Sequence, residues 1–323
     1  MIDFVRGHCG WDVVTMPLEG QVAPGRELDT ALAILDAPLN GGLEVGYLGR
    51  GTAPDRLSLR MVSATERGWI DMCGGMTQVI GKLLAETRFG AMLGIEPAGP
   101  RLDVLLETPV GLVPVRAELA DGRAARIWTD MRAYLGSIAT SGIAPLTLSG
   151  VPLLRVGHYA VIDIADLERA APGYDFTSRR PGEALDFVHA ILRAFETLRG
   201  SDGVTAMLFD ARPEGGGAFR VFPRFYSADL AAAALPWEFQ CGTGSMAVAA
   251  ALAHRGRLAT LHGECRVIFE WGSAARTPDP YGIRTSELIL TVDGTRLAAG
   301  SFSHSVTEIL AEGRLTLPAY LGR

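Results

Sequence analysis

Two cysteines stand where thiol chemistry is expected. Cys73 lies in Asp71–Met72–Cys73–Gly74–Gly75 and Cys241 in Cys241–Gly242–Thr243–Gly244–Ser245, and apolar residues at helical spacing follow each. A helix N-terminus presents backbone N–H groups without acceptors and a partial positive charge. It is therefore a seat for a carboxylate, and it favours thiolate over thiol. Glycines beside the cysteine let the backbone approach a ligand closely. Two such turns facing each other would cradle one carboxylate and place a sulfur on either side of the adjoining carbon. One sulfur takes the proton and the other returns one to the opposite face, which inverts a stereocentre by two-base catalysis. That chemistry needs neither metal nor pyridoxal phosphate. Taken singly, either turn reads more readily as a buried thiol acting as a small apolar side chain. The pair in matching context, half a chain apart, is what points to function.

The other cysteines lack that context. Cys265 opens a strand, Glu264–Cys265–Arg266, and reads as packing. No CxxC or HxxxH pair occurs, and His8 beside Cys9 is a poor chelating geometry, so no metal is expected. No cofactor is expected either.

The elements that must position the two turns repeat a plan. In the first half, 1–70 reads as strands and turns, with strands over 13–16, 43–47 and 57–62. The Cys73 turn then opens a helix with apolar residues at 76, 79, 80, 83 and 84, which stops near Arg88–Phe89–Gly90. Strands over 102–107, 113–119 and 124–130 follow. The Ser-, Gly- and Pro-rich stretch 140–152 is the candidate crossing between domains. In the second half, 154–164 reads as a strand and 181–199 as an amphipathic helix, with Ala184, Phe187, Val188, Ile191, Leu192 and Phe195 on one face. Strands over 204–209 and 219–225 precede the Cys241 turn. A helix over 246–255 closes at Gly256, and strands over 266–271 and 288–292 come after it. The second helix is apolar nearly all round and built of small residues, as a helix buried on every side must be. A sheet wrapped round a central helix, made twice, satisfies the pattern.

The chain has 323 residues, 48% of them hydrophobic and 20% charged, which suffices for two medium domains with ordinary cores. The net charge is −6 and no basic run of five occurs, so a nucleic-acid partner is not expected. No stretch of 18 apolar residues suggests a membrane span. The N-terminus already carries Asp3, Arg6 and His8, so no export signal is read there. The expectation is a cytoplasmic protein with reduced thiols. A homodimer is a possible assembly.

The two turns also carry a family resemblance. Met72–Cys73–Gly74–Gly75 resembles the first catalytic turn of proline racemases and 4-hydroxyproline epimerases, Met-Cys-Gly-His, and the Cys-Gly-Asn turn of diaminopimelate epimerases. Cys241–Gly242–Thr243–Gly244 is similar to the second turn of both families, Cys-Gly-Thr-Gly. Gly7–His8–Cys9–Gly10 resembles the His-Thr-Gly-Gly segment of proline racemases, and Glu107–Val113 resembles their Glu-Thr-Pro-Ala-Gly-Leu-Val segment.

The resemblance implies an α/β (α+β) protein of two pseudo-symmetric domains like those of diaminopimelate epimerase. Each would be a mostly antiparallel sheet rolled around a central helix, with the active site in the cleft between them. The domains would be 1–148 with 300–323, and 149–299. It implies Cys73 and Cys241 as the proton-transferring pair, and carboxylate binding by the N–H groups of Gly74, Gly75, Gly242, Thr243 and Gly244. The substrate would be a small carboxylate or amino acid.

The chain departs from the pattern in places. Gly75 stands where the families have His or Asn, and Met76 where they have Gly. The Asp-Arg-Ser-Pro that precedes the second turn of proline racemases is here Trp237–Glu238–Phe239–Gln240. Glu238 either meets a substrate amine or is a solvated surface residue. Trp237 and Phe239 either line a pocket or are core. His8 is either a site residue or a hydrogen-bonding turn residue. The activity implied is a cofactor-independent amino-acid racemase or epimerase. The alternatives are a double-bond isomerase of an unsaturated carboxylate on the same fold, a non-catalytic carboxylate-binding homologue, and, more weakly, a redox role for the thiols.

Overall fold

The computed structural model of the chain describes residues 1–10, 12–37, 42–64, 66–176, 183–199, 205–215, 218–227, 241–258, 263–271 and 284–316. The chain divides into two compact units, Met1–Ala133 with Ser303–Arg323, and Tyr134–Phe302. No helix among the described residues is long and apolar enough to cross a membrane.

The first unit contains β1 (Ile2–Cys9), β2 (Asp12–Pro17), β3 (Glu44–Arg50), β4 (Arg56–Ser63), β5 (Gly68–Ile70), β6 (Arg101–Thr108), β7 (Gly111–Ala120) and β8 (Arg123–Asp130). The second contains β9 (Ile143–Leu148), β10 (Val151–Val156), β11 (Tyr159–Asp163), β12 (Thr205–Gly215), β13 (Ala218–Ser227), β14 (Glu264–Trp271) and β15 (Arg284–Asp293), followed by β16 (Arg296–His304). The last strand, β17 (Thr307–Leu315), lies in the first unit against β1.

Pairing makes the internal repeat explicit. In the first unit the order is β17-β1-β2-β3-β4-β6-β7-β8. Its junctions run antiparallel, antiparallel, parallel, antiparallel, parallel, antiparallel and antiparallel. In the second unit the order is β9-β10-β11-β12-β13-β14-β15, and its junctions follow the same succession as far as they go. Parallel neighbours need a long crossover connection, and each unit makes two. One holds an outer helix: Glu27–Leu35 between β2 and β3, and Glu183–Arg199 between β11 and β12. The other holds the helix opened by a cysteine. Gly74–Glu86 lies between β4 and β6, and Gly242–His254 between β13 and β14.

Each sheet is packed on both faces, and strand alternation assigns side chains to one or the other. On β3, Val45 and Tyr47 join Ala31 and Ile34 of the outer helix. Gly46 between them lies against Met76 of the Cys73 helix. On β12, Ala206 and Leu208 join Val188, Ile191, Leu192 and Phe195, while Met207 reaches Gly244 of the Cys241 helix. Strands from both ends of the first sheet, β17, β1, β7 and β8, meet the Cys73 helix, so the sheet is rolled around it. Every residue of the second helix from Gly242 to Ala253 is buried, as its uniformly small, apolar composition demands.

Several segments differ from the sequence reading. Glu27–Leu35 is a helix within a region expected to hold only strands and turns. The stretch 140–152 is not a linker but folds into β9, a tight turn and the start of β10. Ser149 and Gly150 both have positive φ, 50° and 78°, as a two-residue hairpin turn of matching twist requires. The single strand expected over 154–164 is likewise broken at Gly157, φ 61°, into parts of β10 and β11.

Candidate active site

Cys73 is the N-cap of its helix, with extended backbone at φ −132° and ψ 117°. Its Sγ accepts the N–H of Met76, three residues on, at 3.2 Å. The turn is locked from below. Thr77 Oγ1 donates to the Gly74 carbonyl at 2.8 Å and is 2.7 Å from Thr129 Oγ1, which also accepts from Gln78 Nε2 at 2.8 Å. The side-chain oxygen of Gln78, Oε1, in turn accepts the His304 backbone N–H at 3.3 Å. Thr77, Gln78 and Thr129 are fully buried, and their hydroxyl and amide groups are satisfied within this network.

Cys241 repeats the geometry in the second unit. It too is an extended N-cap, φ −146° and ψ 112°, and its Sγ accepts the N–H of Gly244 at 3.2 Å. Ser245 Oγ donates to the Cys241 carbonyl at 2.7 Å, the counterpart of the Thr77 lock. Gly244 is closely packed here. A Cβ on it would stand 3.1 Å from Cys241 Sγ and 2.7 Å from Met207 Sδ. The Gly244 N–H, expected from the sequence to serve a ligand, is thus donated to the sulfur in this structure.

In both turns the next donors are those an α-helix leaves without intrahelical acceptors: the N–H groups of Gly74 and Gly75, and of Gly242 and Thr243. Each turn therefore joins a sulfur to a small cradle of N–H groups at the positive end of a buried helix. Cys73 is 7% exposed, Cys9 0% and Cys265 2%, and none of the four cysteines is in a disulfide. Burial pushes the Cys265 thiol up, as a packing cysteine shows.

Around Cys241 are groups that sequence reasoning missed. Tyr159 OH lies 3.5 Å from Cys241 Sγ and 2.7 Å from Thr243 Oγ1, which itself is 3.4 Å from the sulfur. Tyr134 is buried near the same group. Burial, and then the proximity of Cys241, hold both phenols well above the usual tyrosine range. Nothing in the spacing of two single tyrosines signals this cluster.

The remaining candidates are placed as follows. His8 is buried on β1. Its Nδ1 is 3.0 Å from the Gly10 carbonyl oxygen and its Nε2 is 3.1 Å from a Glu308 carboxylate oxygen on β17. Its ring is thus held by its own turn and the neighbouring strand. Glu238, with Trp237 and Phe239, lies outside the described residues. Among the described residues no group of three or more His, Cys, Asp and Glu side chains is placed to hold a metal ion.

Neither a family model nor a curated relative matches the sequence. Solved structures do. A probable proline racemase from Agrobacterium radiobacter, solved with bound carbonate, superposes with a TM-score of 0.63 at 17% identity, over 99% of this chain and 94% of that one. A hydroxyproline epimerase from Agrobacterium vitis, solved with trans-4-hydroxy-L-proline, gives a TM-score of 0.59 at 17% identity, over 99% and 92%. A methylitaconate-delta-isomerase gives 0.59 at 13% identity, over 97% and 94%. The chain thus has the fold shared by proline racemases, hydroxyproline epimerases and methylitaconate isomerase.

Proposed function

We propose that this protein is a cofactor-independent isomerase that inverts the α-carbon of an amino acid, with Cys73 and Cys241 as its proton-transferring pair. The observation that carries the reading is the equivalence of the two sulfurs. Each caps the helix that crosses over between the inner parallel strands of its unit, and each accepts the N–H three residues on at 3.2 Å. Capping alone does not account for this, because Ser, Thr, Asp and Asn are the residues preferred at an N-cap.

In the proposed cycle the substrate carboxylate is held by the N–H groups of Gly74, Gly75, Gly242 and Thr243. The thiolate of one cysteine removes the α-proton and becomes a thiol. The electron pair left on carbon delocalises into the carboxylate, where the same N–H groups stabilise it. The thiol of the other cysteine delivers its proton to the opposite face and is left as the thiolate. The product is the mirror configuration at that carbon, and the two sulfurs have exchanged protonation states. Glu238 would meet the substrate ammonium and His8 would contribute to substrate binding.

A double-bond isomerase of an unsaturated carboxylate is the second reading. Its support is the fold shared with methylitaconate-delta-isomerase; Gly75, which brings no side chain where the racemase families have His or Asn, weighs instead toward a carboxylate-binding protein. Both readings begin with proton removal beside a carboxylate. Incubation with a panel of single-enantiomer amino acids, resolved by chiral chromatography, separates them. The racemase reading predicts the mirror enantiomer of at least one. Conversion of unsaturated di- or tricarboxylates without inversion of any amino acid supports the second reading, and no turnover of either class supports a carboxylate-binding protein.

A further inference from the structure

The two thiol turns share a backbone and differ in which peptide is tied down. Each sulfur takes the N–H three residues on, of Met76 in one turn and of Gly244 in the other. The N–H groups of the first two helical residues are left to serve a ligand. Their aim is set by their peptide planes, because in a trans peptide the N–H points opposite the carbonyl. Holding the carbonyl of a peptide therefore aims its N–H.

In the first turn, Thr77 Oγ1 donates to the Gly74 carbonyl at 2.8 Å. That carbonyl belongs to the same peptide as the Gly75 N–H. A peptide between two glycines has the widest conformational freedom in a chain, so an anchor matters most here. A buried helical threonine often bonds a carbonyl of the preceding turn, but Thr77 is itself braced from another element. A carbonyl only accepts, so the Thr77 proton is committed to Gly74, and Thr77 accepts from Thr129 Oγ1 on β8 at 2.7 Å. Thr129 in turn accepts from Gln78 Nε2 at 2.8 Å. The orientation of that amide follows from the His304 backbone N–H, which can only donate and meets Gln78 Oε1. The bonds thus run one way, from Gln78 through Thr129 and Thr77 to Gly74, and all three side chains are fully buried. A hydrogen bond accepted by the carbonyl also polarises the peptide and strengthens its N–H as a donor.

In the second turn, Ser245 stands at the position equivalent to Thr77 and reaches one residue further back. Its Oγ donates to the Cys241 carbonyl at 2.7 Å, and its backbone N–H donates to the same oxygen at 2.8 Å. The carbonyl so held shares its peptide with the Gly242 N–H. Ser245 is fully buried as well.

We infer that Thr77 and Ser245 are positioning residues, Thr77 for the Gly75 N–H and Ser245 for the Gly242 N–H, which makes these two the aimed donors among the four of the cradle. On the racemase reading, on which this consequence rests, they meet the charge that develops on the substrate carboxylate as the α-proton leaves.

The test compares Thr77→Val and Ser245→Ala, which remove the hydroxyls, with Thr77→Ser and Ser245→Thr, which keep them. Turnover is measured on the amino acid that the chiral screen shows to be inverted. Amide hydrogen–deuterium exchange of the substrate-free, full-length protein is followed over 74–76 and 242–244 by mass spectrometry. Each hydroxyl-free variant should lose kcat by about tenfold or more with KM within about threefold, since a donor out of aim matters most where charge develops. The hydroxyl-keeping variants should recover most of that loss. Exchange should rise about tenfold at the altered turn alone, the scale of one lost hydrogen bond. A merely structural hydroxyl would lower the melting temperature and leave the kcat of the folded protein where it was. If Thr77→Val does not fold, Thr129→Val carries the test of the first turn, with a smaller effect expected. Unchanged exchange at the altered turn overturns the inference, as does an unchanged kcat, or a loss as large in Thr77→Ser and Ser245→Thr as in the hydroxyl-free variants. A screen that finds no inverted amino acid ends the racemase reading instead, and exchange alone then decides whether the two hydroxyls hold their peptides.

Discussion

Sulfur at an N-cap is a poor choice for helix stability and a good one for proton transfer. Serine in its place would accept the same N–H three residues on and is among the best caps, yet it is a far weaker base than a thiolate. Cys73→Ser and Cys241→Ser are therefore expected to keep the melting temperature of the wild type within a few degrees or raise it. Each should lose racemisation by at least about a hundredfold, the scale of removing one general acid or base. Thermal unfolding and chiral turnover, measured on the same preparations, check this. If the thiols only filled space, the pattern would reverse, with activity kept and stability lowered by the polar hydroxyl. Both cysteines were legible in the sequence because each precedes glycine at the start of an apolar run. Tyr159 and Thr129 were not, because a hydroxyl brought to a site from another strand leaves no periodic trace, and Tyr134 and Gln78 are single polar residues on helices that apolar periodicity does not single out.

At the scale of elements, the buried helices were the legible part. A run such as Gly242–His254, small and apolar on all sides, has no stable place except inside a sheet, and Glu183–Arg199 shows one apolar face that the structure buries. The helix Glu27–Leu35 escaped notice because it is short and its N-cap, Arg26, supplies no side-chain cap. The Cys73 helix carries a glycine in its interior, Gly81, at a position where a Cβ would stand 2.6 Å from Ile127 Cγ2 on β8 and 3.2 Å from Val115 Cγ1 on β7. Helix propensity alone favours alanine there by about 1 kcal/mol. Close packing against two strands wins, since overpacking a fixed core costs about 1–3 kcal/mol. Gly81→Ala is thus expected to destabilise the protein in urea unfolding, against the propensity rule. A stabilised variant would show that the helix is not held against the sheet at this point.

At the scale of the molecule, the two units repeat one succession of strand senses with two crossover helices apiece, and the chain end returns to its beginning. β17 pairs along the whole of β1. Asp3 fastens this closure. Its carboxylate accepts from Gln21 Nε2 at 2.7 Å, from Arg88 at 2.7 Å and from Arg314, near the end of β17, at 3.2 Å. The Gln21 hydrogen bond, with Arg314 and Arg88 behind it, holds the Asp3 carboxyl below the usual aspartate range. The sign follows from linkage. A carboxyl depressed in the folded state stabilises above its unfolded value, and that contribution is lost as pH falls through the folded one. Stability of the wild type should therefore drop as pH falls below about 4. Asp3→Asn should be less stable at neutral pH and show a shallower fall over that acid window, in denaturant titrations at a series of pH values. Parallel slopes in the two proteins would remove Asp3 from the account.

The central claim is that two sulfurs act on one carbon from opposite faces. The most direct measurement is the fate of the α-proton in deuterium oxide, read by NMR for the amino acid that the chiral screen shows to be inverted. The wild type should place deuterium at the α-carbon as it inverts it. Cys73→Ser and Cys241→Ser should each fail to invert and exchange the α-proton of no more than a single enantiomer, since each keeps one sulfur on one face. The double variant should do neither. Inversion by Cys73→Ser at the wild-type rate would contradict the claim and leave the first turn as a carboxylate cradle alone.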